Sequence, residues 1–121
     1  MNRFPMWQAH DAALAAIRLW IRNGWSPMPQ PRLKVKGGAI VRDKVGNGVG
    51  GIRLPAMAVP RAAYNRTGDC VALDGRTEPF SAGQLKKLYP TKKAYAKQLK
   101  KAVKRSVRAG VLTKSDARLV H

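Results

Sequence analysis

Side chains near the start of the chain alternate between apolar and polar with the spacing of an α-helix. Over residues 5–22 the apolar positions recur every three or four residues, and Pro5 suits a first helical turn, where its missing N–H costs nothing. Gly24 follows the last polar residues and is placed to end the helix in a left-handed conformation. A helix with so apolar a face needs a partner surface. That face consists of His10, Ala13, Leu14, Ile17, Trp20 and Ile21.

Extended structure is predicted for the middle of the chain. Residues 26–32 carry three prolines at alternate positions, which predicts a stiff connector. Residues 33–60 combine short alternating stretches with several glycines, and Asn47-Gly48 is a local turn signal, so a glycine-rich β-hairpin is expected. The glycines also indicate close backbone approaches. Residues 61–80 show no firm period and predict a loop, in which Cys70–Leu73 could form one buried strand.

The last third of the chain returns to helical spacing. Tyr89-Pro90 should end a short helix, and Thr91 can cap a longer one that runs to Gly110. The apolar stripe of the longer helix is Tyr95, Leu99, Ala102, Val103 and Val107. The further capping pairs are Ser81 with Gln84 and Thr113 with Asp116.

These segments predict a single α+β region. An N-terminal amphipathic helix precedes a small β-hairpin, a loop and the C-terminal helices, and 121 residues suffice for one small domain. The longest apolar run, residues 12–21, is interrupted by Arg18 and is too short for a membrane span. Because no signal peptide is evident, a cytoplasmic location is the default expectation. The expected segments are 1–25, 26–32, 33–60, 61–80 and 81–121.

The longer C-terminal helix carries an unusual concentration of positive charge. The chain carries 24 Lys and Arg against 6 Asp and Glu, a net charge of +18, and the helix itself has no acidic residue. Like charges four residues apart repel, so an anionic partner would stabilise this helix, whether nucleic acid, a lipid surface or an acidic protein. Aromatic residues for base stacking are few, so phosphate contacts would dominate. The candidate polyanion-binding residues are Lys92, Lys93, Lys97, Lys100, Lys101, Lys104, Arg105 and Arg108.

Groups that could carry catalysis are sparse. No serine stands in a G-x-S-x-G elbow, the tight strand-to-helix turn that exposes a nucleophile. Cys70 has no recognisable base beside it, and adjacent His10 and Asp11 do not face each other on a helix. No Cys/His cluster has zinc spacing. The sequence therefore predicts no catalytic residue, no metal site and no cofactor, and leaves His10 as a candidate pocket residue.

Five segments, in order along the chain, carry a resemblance to a known family. They are His10–Gly24, Gly38–Asp43 with Gly46-Asn47, Gly50–Pro55 with Val59-Pro60 and Tyr64, Pro79-Phe80 with Leu88–Thr91 and Tyr95, and Ala109–Leu112 with Asp116–Arg118 and Val120. Together they resemble the C-terminal region of a bacterial family of α/β-hydrolase domain-containing proteins, which are ester-type hydrolases. The resemblance implies an incomplete fold whose serine elbow, acidic residue and catalytic histidine lie upstream of this region.

Two functional hypotheses follow. In the first, the chain is a C-terminal piece of an α/β-hydrolase-like protein and is inactive alone. The apolar face of helix 5–22 would then pack on a hydrolase core or on a second copy of the chain. In the second, the chain is a small basic module that binds nucleic acid or another polyanion without sequence preference.

Overall fold

The computed structural model describes residues 3–65 and 75–121. In this part of the chain, helices alternate with two small antiparallel sheets, which confirms the predicted α+β class. The helices are α1 (Met6–Asn23), α2 (Pro55–Ala58), α3 (Ala82–Leu88), α4 (Lys92–Arg108) and α5 (Lys114–Ala117). The strands are β1 (Val35–Lys36), β2 (Ala39–Ile40), β3 (Ala62–Asn65) and β4 (Arg76–Pro79).

Helix α1 ends as the sequence predicts. Gly24 adopts φ 70°, and its N–H donates to the carbonyl oxygen of Trp20 at 2.9 Å. The side of α1 that the described residues cover is narrow, with Gln8 and Ala12 as its buried residues. The predicted apolar face is instead largely uncovered: Leu14 and Ile17 line a cavity with Thr113, and Ile21 is 79% exposed.

The first sheet turns at a different place from the predicted one. Strands β1 and β2 pair Val35 with Ile40, and the chain reverses at Gly37-Gly38, where both glycines have positive φ. Two consecutive residues of positive φ form the turn that best matches the twist of a hairpin. The predicted turn signal marks a second reversal. There the Asp43 N–H donates to the Asn47 carbonyl oxygen at 2.8 Å, the Gly46 N–H donates to the Asp43 carbonyl oxygen at 3.0 Å, and Arg42 pairs with Gly48 in antiparallel register.

Three segments of the glycine-rich region are joined in a ring of backbone hydrogen bonds. The Lys34 N–H donates to the Val49 carbonyl, the Val49 N–H to the Val41 carbonyl, and the Val41 N–H to the Lys34 carbonyl, each at 2.9 Å. The ring brings Gly50 against the preceding connector, where a Cβ would overlap the carbonyl oxygen of Arg32. The close backbone approach expected from the glycines is confirmed here.

A second hairpin forms where the sequence indicated a loop. Strands β3 and β4 pair in antiparallel register from Ala62 opposite Pro79 to Asn65 opposite Arg76. Alanine, asparagine, charged residues and proline favour strands weakly, so no alternating pattern marked this hairpin. The pairing depends on contacts from elsewhere in the chain. The candidate strand Cys70–Leu73 lies outside the described residues.

Helix α4 packs its predicted stripe into the core. Leu99 and Ala102 are buried with Val59, which follows α2. Tyr89, Tyr95, Val103 and Val120 pack around them. The predicted caps are confirmed as well. The side chains of Thr91, Ser81 and Thr113 accept the N–H groups of Ala94, Gln84 and Asp116, at 3.0, 3.3 and 3.1 Å.

Candidate functional site

A buried asparagine joins the loop after β2 to strand β3. The side chain of Asn47 is 0% exposed. Its Nδ2 donates to the carbonyl oxygen of Ala62 at 3.3 Å, and its Oδ1 accepts the N–H of Tyr64 at 2.8 Å. The amide of Asn47 therefore bonds to β3 as a neighbouring strand would, which gives the second hairpin a partner that its own sequence does not specify.

Asp43 sets the geometry of the loop that carries Asn47. Its Oδ1 accepts the N–H groups of Val45 and Asn47 at 3.1 and 3.0 Å, as an aspartate at a turn does. Its Oδ2 lies 3.7 Å from Nη2 of Arg53. Each acceptor oxygen of this carboxylate thus faces a donor from the fold itself, which makes Asp43 an organiser of the loop.

Arg53 extends this network towards α4. Its guanidinium donates to the carbonyl oxygens of Met57 at 3.0 Å and Gly48 at 3.4 Å. Its own carbonyl oxygen accepts the hydroxyl of Ser106 at 3.1 Å. Residues 43–53 therefore form one hydrogen-bonded unit with the C-terminal turn of α4. The sequence reasoning did not identify Asn47 or Arg53 as key residues, although both lie in segments that carry the family resemblance.

The serines with hydrogen bonds in the structure have structural roles. Ser106 is buried in α4 and bonds to Arg53, while Ser81 caps α3. Ser115 lies in α5, with its hydroxyl 2.8 Å from that of Thr113. Ser26 is exposed in the proline-rich connector. Cys70 lies outside the described residues.

His10 lies on the exposed side of α1. It is absent from the linings of the four cavities found among residues 3–65 and 75–121. Its assignment as a pocket residue stays a prediction, because a pocket formed with a further protein surface would not be visible in this chain alone. The other histidine, His121, lines a cavity of about 230 Å³ together with Arg61, Tyr64 and Tyr95.

The phenols near this cavity are poorly suited to act as bases. Burial, with a smaller contribution from neighbouring Tyr95, raises the pKa of Tyr89 to about 12. The hydroxyl of Tyr89 donates to the Pro60 carbonyl at 2.8 Å, and its ring meets the edge of Tyr95 at 5.0 Å. Burial likewise raises the pKa of Tyr64. Both side chains therefore remain protonated at neutral pH and serve as packing and hydrogen-bonding groups.

Several large apolar side chains are exposed on α1. We call Leu14, Ile17, Trp20 and Ile21 the α1 face, and each of these side chains is exposed. An apolar cavity of about 310 Å³ opens beside it, between α1, the connector and the end of α4. The connector is fixed to α4 here, because Nε2 of Gln30 donates to the Ala109 carbonyl oxygen at 2.8 Å.

All eight predicted polyanion-binding residues are exposed along α4. Within residues 3–65 and 75–121 the ion pair found is that of Arg53 with Asp43, so the described residues neutralise none of the eight. Lys92 is separate from the others, since it lines a cavity of about 390 Å³ with Tyr89, Tyr95 and Arg61. The remaining seven form one face, which we call the α4 face.

Two further findings bear on the class of site. In the described part of the chain, no group of three or more His, Cys, Asp or Glu side chains is placed to hold a metal ion. No helix found there combines the length and apolar character that crossing a membrane requires.

Comparison with known proteins gives the family. The family model described as "Alpha/beta hydrolase domain" matches residues 1–121. The chain therefore belongs to the alpha/beta hydrolase domain family, in agreement with the resemblance carried by its sequence segments. No curated protein and no solved structure matches the chain.

Proposed function

We propose that this chain is the C-terminal segment of an α/β-hydrolase-like protein and has no hydrolase activity alone. The observation that carries the proposal is the exposed α1 face in a chain that matches the family along its whole length. A hydrolase of this architecture builds its site at the edge of a large, mainly parallel sheet. The described residues form two-stranded antiparallel sheets, which leave α1 with no such sheet to cover.

Catalysis in this family is expected from residues that the chain does not contribute. The nucleophile of an α/β-hydrolase sits in a G-x-S-x-G turn, and none of the four serines has that frame. Ser106, the most buried of those described, already donates its hydroxyl to Arg53. In this proposal the segment supplies packing surface, and the substrate class is set by the catalytic core that it covers.

The proposal is tested first by assaying the purified chain with p-nitrophenyl acetate. We expect hydrolysis at the rate of buffer alone, because the chain has no activated serine. Matched samples treated with a serine-directed fluorophosphonate or with iodoacetamide provide the control. Turnover that disappears after either treatment would contradict the proposal, and the reagent that removes it would identify the nucleophile. The genomic sequence immediately upstream should also encode a G-x-S-x-G elbow.

A second test concerns the α1 face. In the isolated chain, Ile17→Asp with Ile21→Asp should change the free energy of unfolding by less than about 1 kcal/mol, because both side chains are exposed. In a complex with the hydrolase core encoded upstream, the same pair should reduce affinity more than a hundredfold, since each buried isoleucine contributes about 1.5–3 kcal/mol. Isothermal titration calorimetry measures this loss.

The control for the second test is Ala15→Asp with Arg22→Ala, which alters exposed positions of α1 outside the α1 face as defined. Unchanged affinity of the isoleucine variant would show that α1 does not dock on the core. Sedimentation of the unmodified chain as a dimer, lost in the isoleucine variant, would assign the α1 face to a second copy instead.

A further inference from the structure

The cations of α4 are ordered along one face of the helix. At 100° per residue, the seven residues of the α4 face fall within an arc of about 140°, and they extend along about 23 Å of the helix axis. They are Lys93, Lys97, Lys100, Lys101, Lys104, Arg105 and Arg108. The opposite side holds the buried residues Leu99, Ala102 and Ser106. The packing of α4 therefore fixes the direction in which its charge points.

This face is electrostatically unfavourable without a partner. Lys93, Lys97, Lys101 and Arg105 follow one another at intervals of four residues, so neighbouring cations in the series repel. No acidic residue lies in α4, and the described residues supply no carboxylate within ion-pair distance of the face. The N-terminal half of the helix carries cations as well, where the helix dipole makes them unfavourable. An external anion would offset both the repulsion between these cations and the unfavourable position of the N-terminal ones in the helix dipole.

The shape and composition of the face favour a nucleic-acid duplex over a membrane or a protein. A helix that binds a bilayer surface inserts its apolar side, but the apolar side of α4 is in the core of the protein. Protein interfaces are depleted in lysine, whereas five of the seven cations of the α4 face are lysines. A face spread over about 140° of a helix can meet phosphates on both sides of a groove, since the major groove of a duplex admits an α-helix.

We propose that the α4 face binds the phosphate backbone of duplex nucleic acid without sequence preference. Lysines and arginines neutralise phosphates and release condensed counterions, which provides the favourable free energy. No aromatic side chain belongs to the face, so contacts to bases contribute little. This inference is independent of the hydrolase proposal, because the α4 face lies on the opposite side of α4 from the hydrophobic core of this chain.

The test measures binding of the full chain to a fluorescein-labelled 20-base-pair duplex by anisotropy. If five to six phosphates are contacted, affinity should fall about a thousandfold between 50 and 200 mM NaCl. The variant Lys97→Ala, Lys101→Ala, Lys104→Ala should make the slope of log K against log salt shallower by about 2.7, which is about 0.9 for each lost contact. A second duplex of unrelated sequence should bind equally well.

The matched control is Lys34→Ala, Lys36→Ala, Lys44→Ala, which removes the same charge from exposed positions around the first hairpin. Its slope should change by less than about 1. Equal loss in the two triple variants would show that only the net charge matters and would overturn the proposal, as would an unaffected α4 variant or no binding at 50 mM NaCl. Circular dichroism should show full helix content in both variants, since alanine favours helices.

Two arms of the experiment separate other anions from the duplex. Vesicles of phosphatidylserine and phosphatidylcholine should bind more weakly than the duplex at equal anionic charge, and polyglutamate should be a poor competitor. Tighter binding to the vesicles, lost in the α4 variant, would assign the face to a membrane surface and overturn the duplex. Displacement of the duplex by polyglutamate at equal charge concentration would assign it to acidic protein segments.

Discussion

Replacing Gly50 by alanine should lower the free energy of unfolding by about 2–5 kcal/mol. Gly50 has φ 86°, a conformation that costs an L-residue about 1–2 kcal/mol. The new Cβ would also overlap the carbonyl oxygen of Arg32, which is backbone and cannot rotate away. Forcing the connector outward adds a further cost of about 1–3 kcal/mol, as overpacking does. Urea denaturation followed by circular dichroism measures the difference.

The control separates the two causes. Gly38 has φ 78°, but a Cβ there would meet no atom within 4 Å. Gly38→Ala should therefore lose only the conformational part, about 1–2 kcal/mol. If the two variants lose equal stability, the close approach between Gly50 and Arg32 does not contribute to the free energy of unfolding. In that case the ring of hydrogen bonds does not hold the connector in place.

Removing the side chain of Asn47 should have the second large effect on stability. In Asn47→Ala, the carbonyl of Ala62 and the N–H of Tyr64 lose their partners, and each unsatisfied buried group costs about 1–3 kcal/mol. We expect a total loss of about 2–6 kcal/mol in urea denaturation. Asn23→Ala, at the exposed end of α1, is the control and should change stability by less than about 0.5 kcal/mol.

A second substitution of Asn47 makes the loss of stability depend on pH. Asn47→Asp keeps an acceptor for the Tyr64 N–H, but at neutral pH it places a buried carboxylate against the Ala62 carbonyl. Burial raises the pKa of such a carboxyl in the folded state above the unfolded value of about 3.9. The deficit relative to wild type should therefore be largest at neutral pH and shrink as pH falls through the raised pKa. A deficit independent of pH would contradict this account.

The helical parts of the fold could be predicted because their signals are local. Gly24 ends α1, Thr91 begins α4, and the stripe with Leu99 and Ala102 packs inward, as the spacing of the side chains indicates. A cap or a stripe depends on residues within a turn or two of each other. The order and spacing of the residues within such a segment are therefore sufficient to place it.

The hairpin of β3 and β4 could not be predicted, because its determinant is distant. The residues of β3 do not alternate, and the strand is held by the amide of Asn47, which lies 15 positions from Ala62. A single sequence shows Asn47-Gly48 as an ordinary turn signal. Its burial follows from the carboxylate of Asp43, which bends the loop so that the amide faces inward.

The candidate site was predictable in its charge and not in its geometry. Counting residues identifies eight cations, but only the packed helix shows that Lys92 lies with Tyr89 and Tyr95 while the others share a face. The α1 face was evident from periodicity, and its exposure is a property of the folded chain. A sequence pattern specifies that a surface is apolar and leaves open what covers it.

Because α4 packs through a narrow stripe, its outer positions contribute almost nothing to the core. Substitutions there can accumulate during evolution without weakening the fold, so the surface potential of this chain is free to diverge from that of its relatives. A lysine-rich exterior and membership of the alpha/beta hydrolase domain family are therefore compatible.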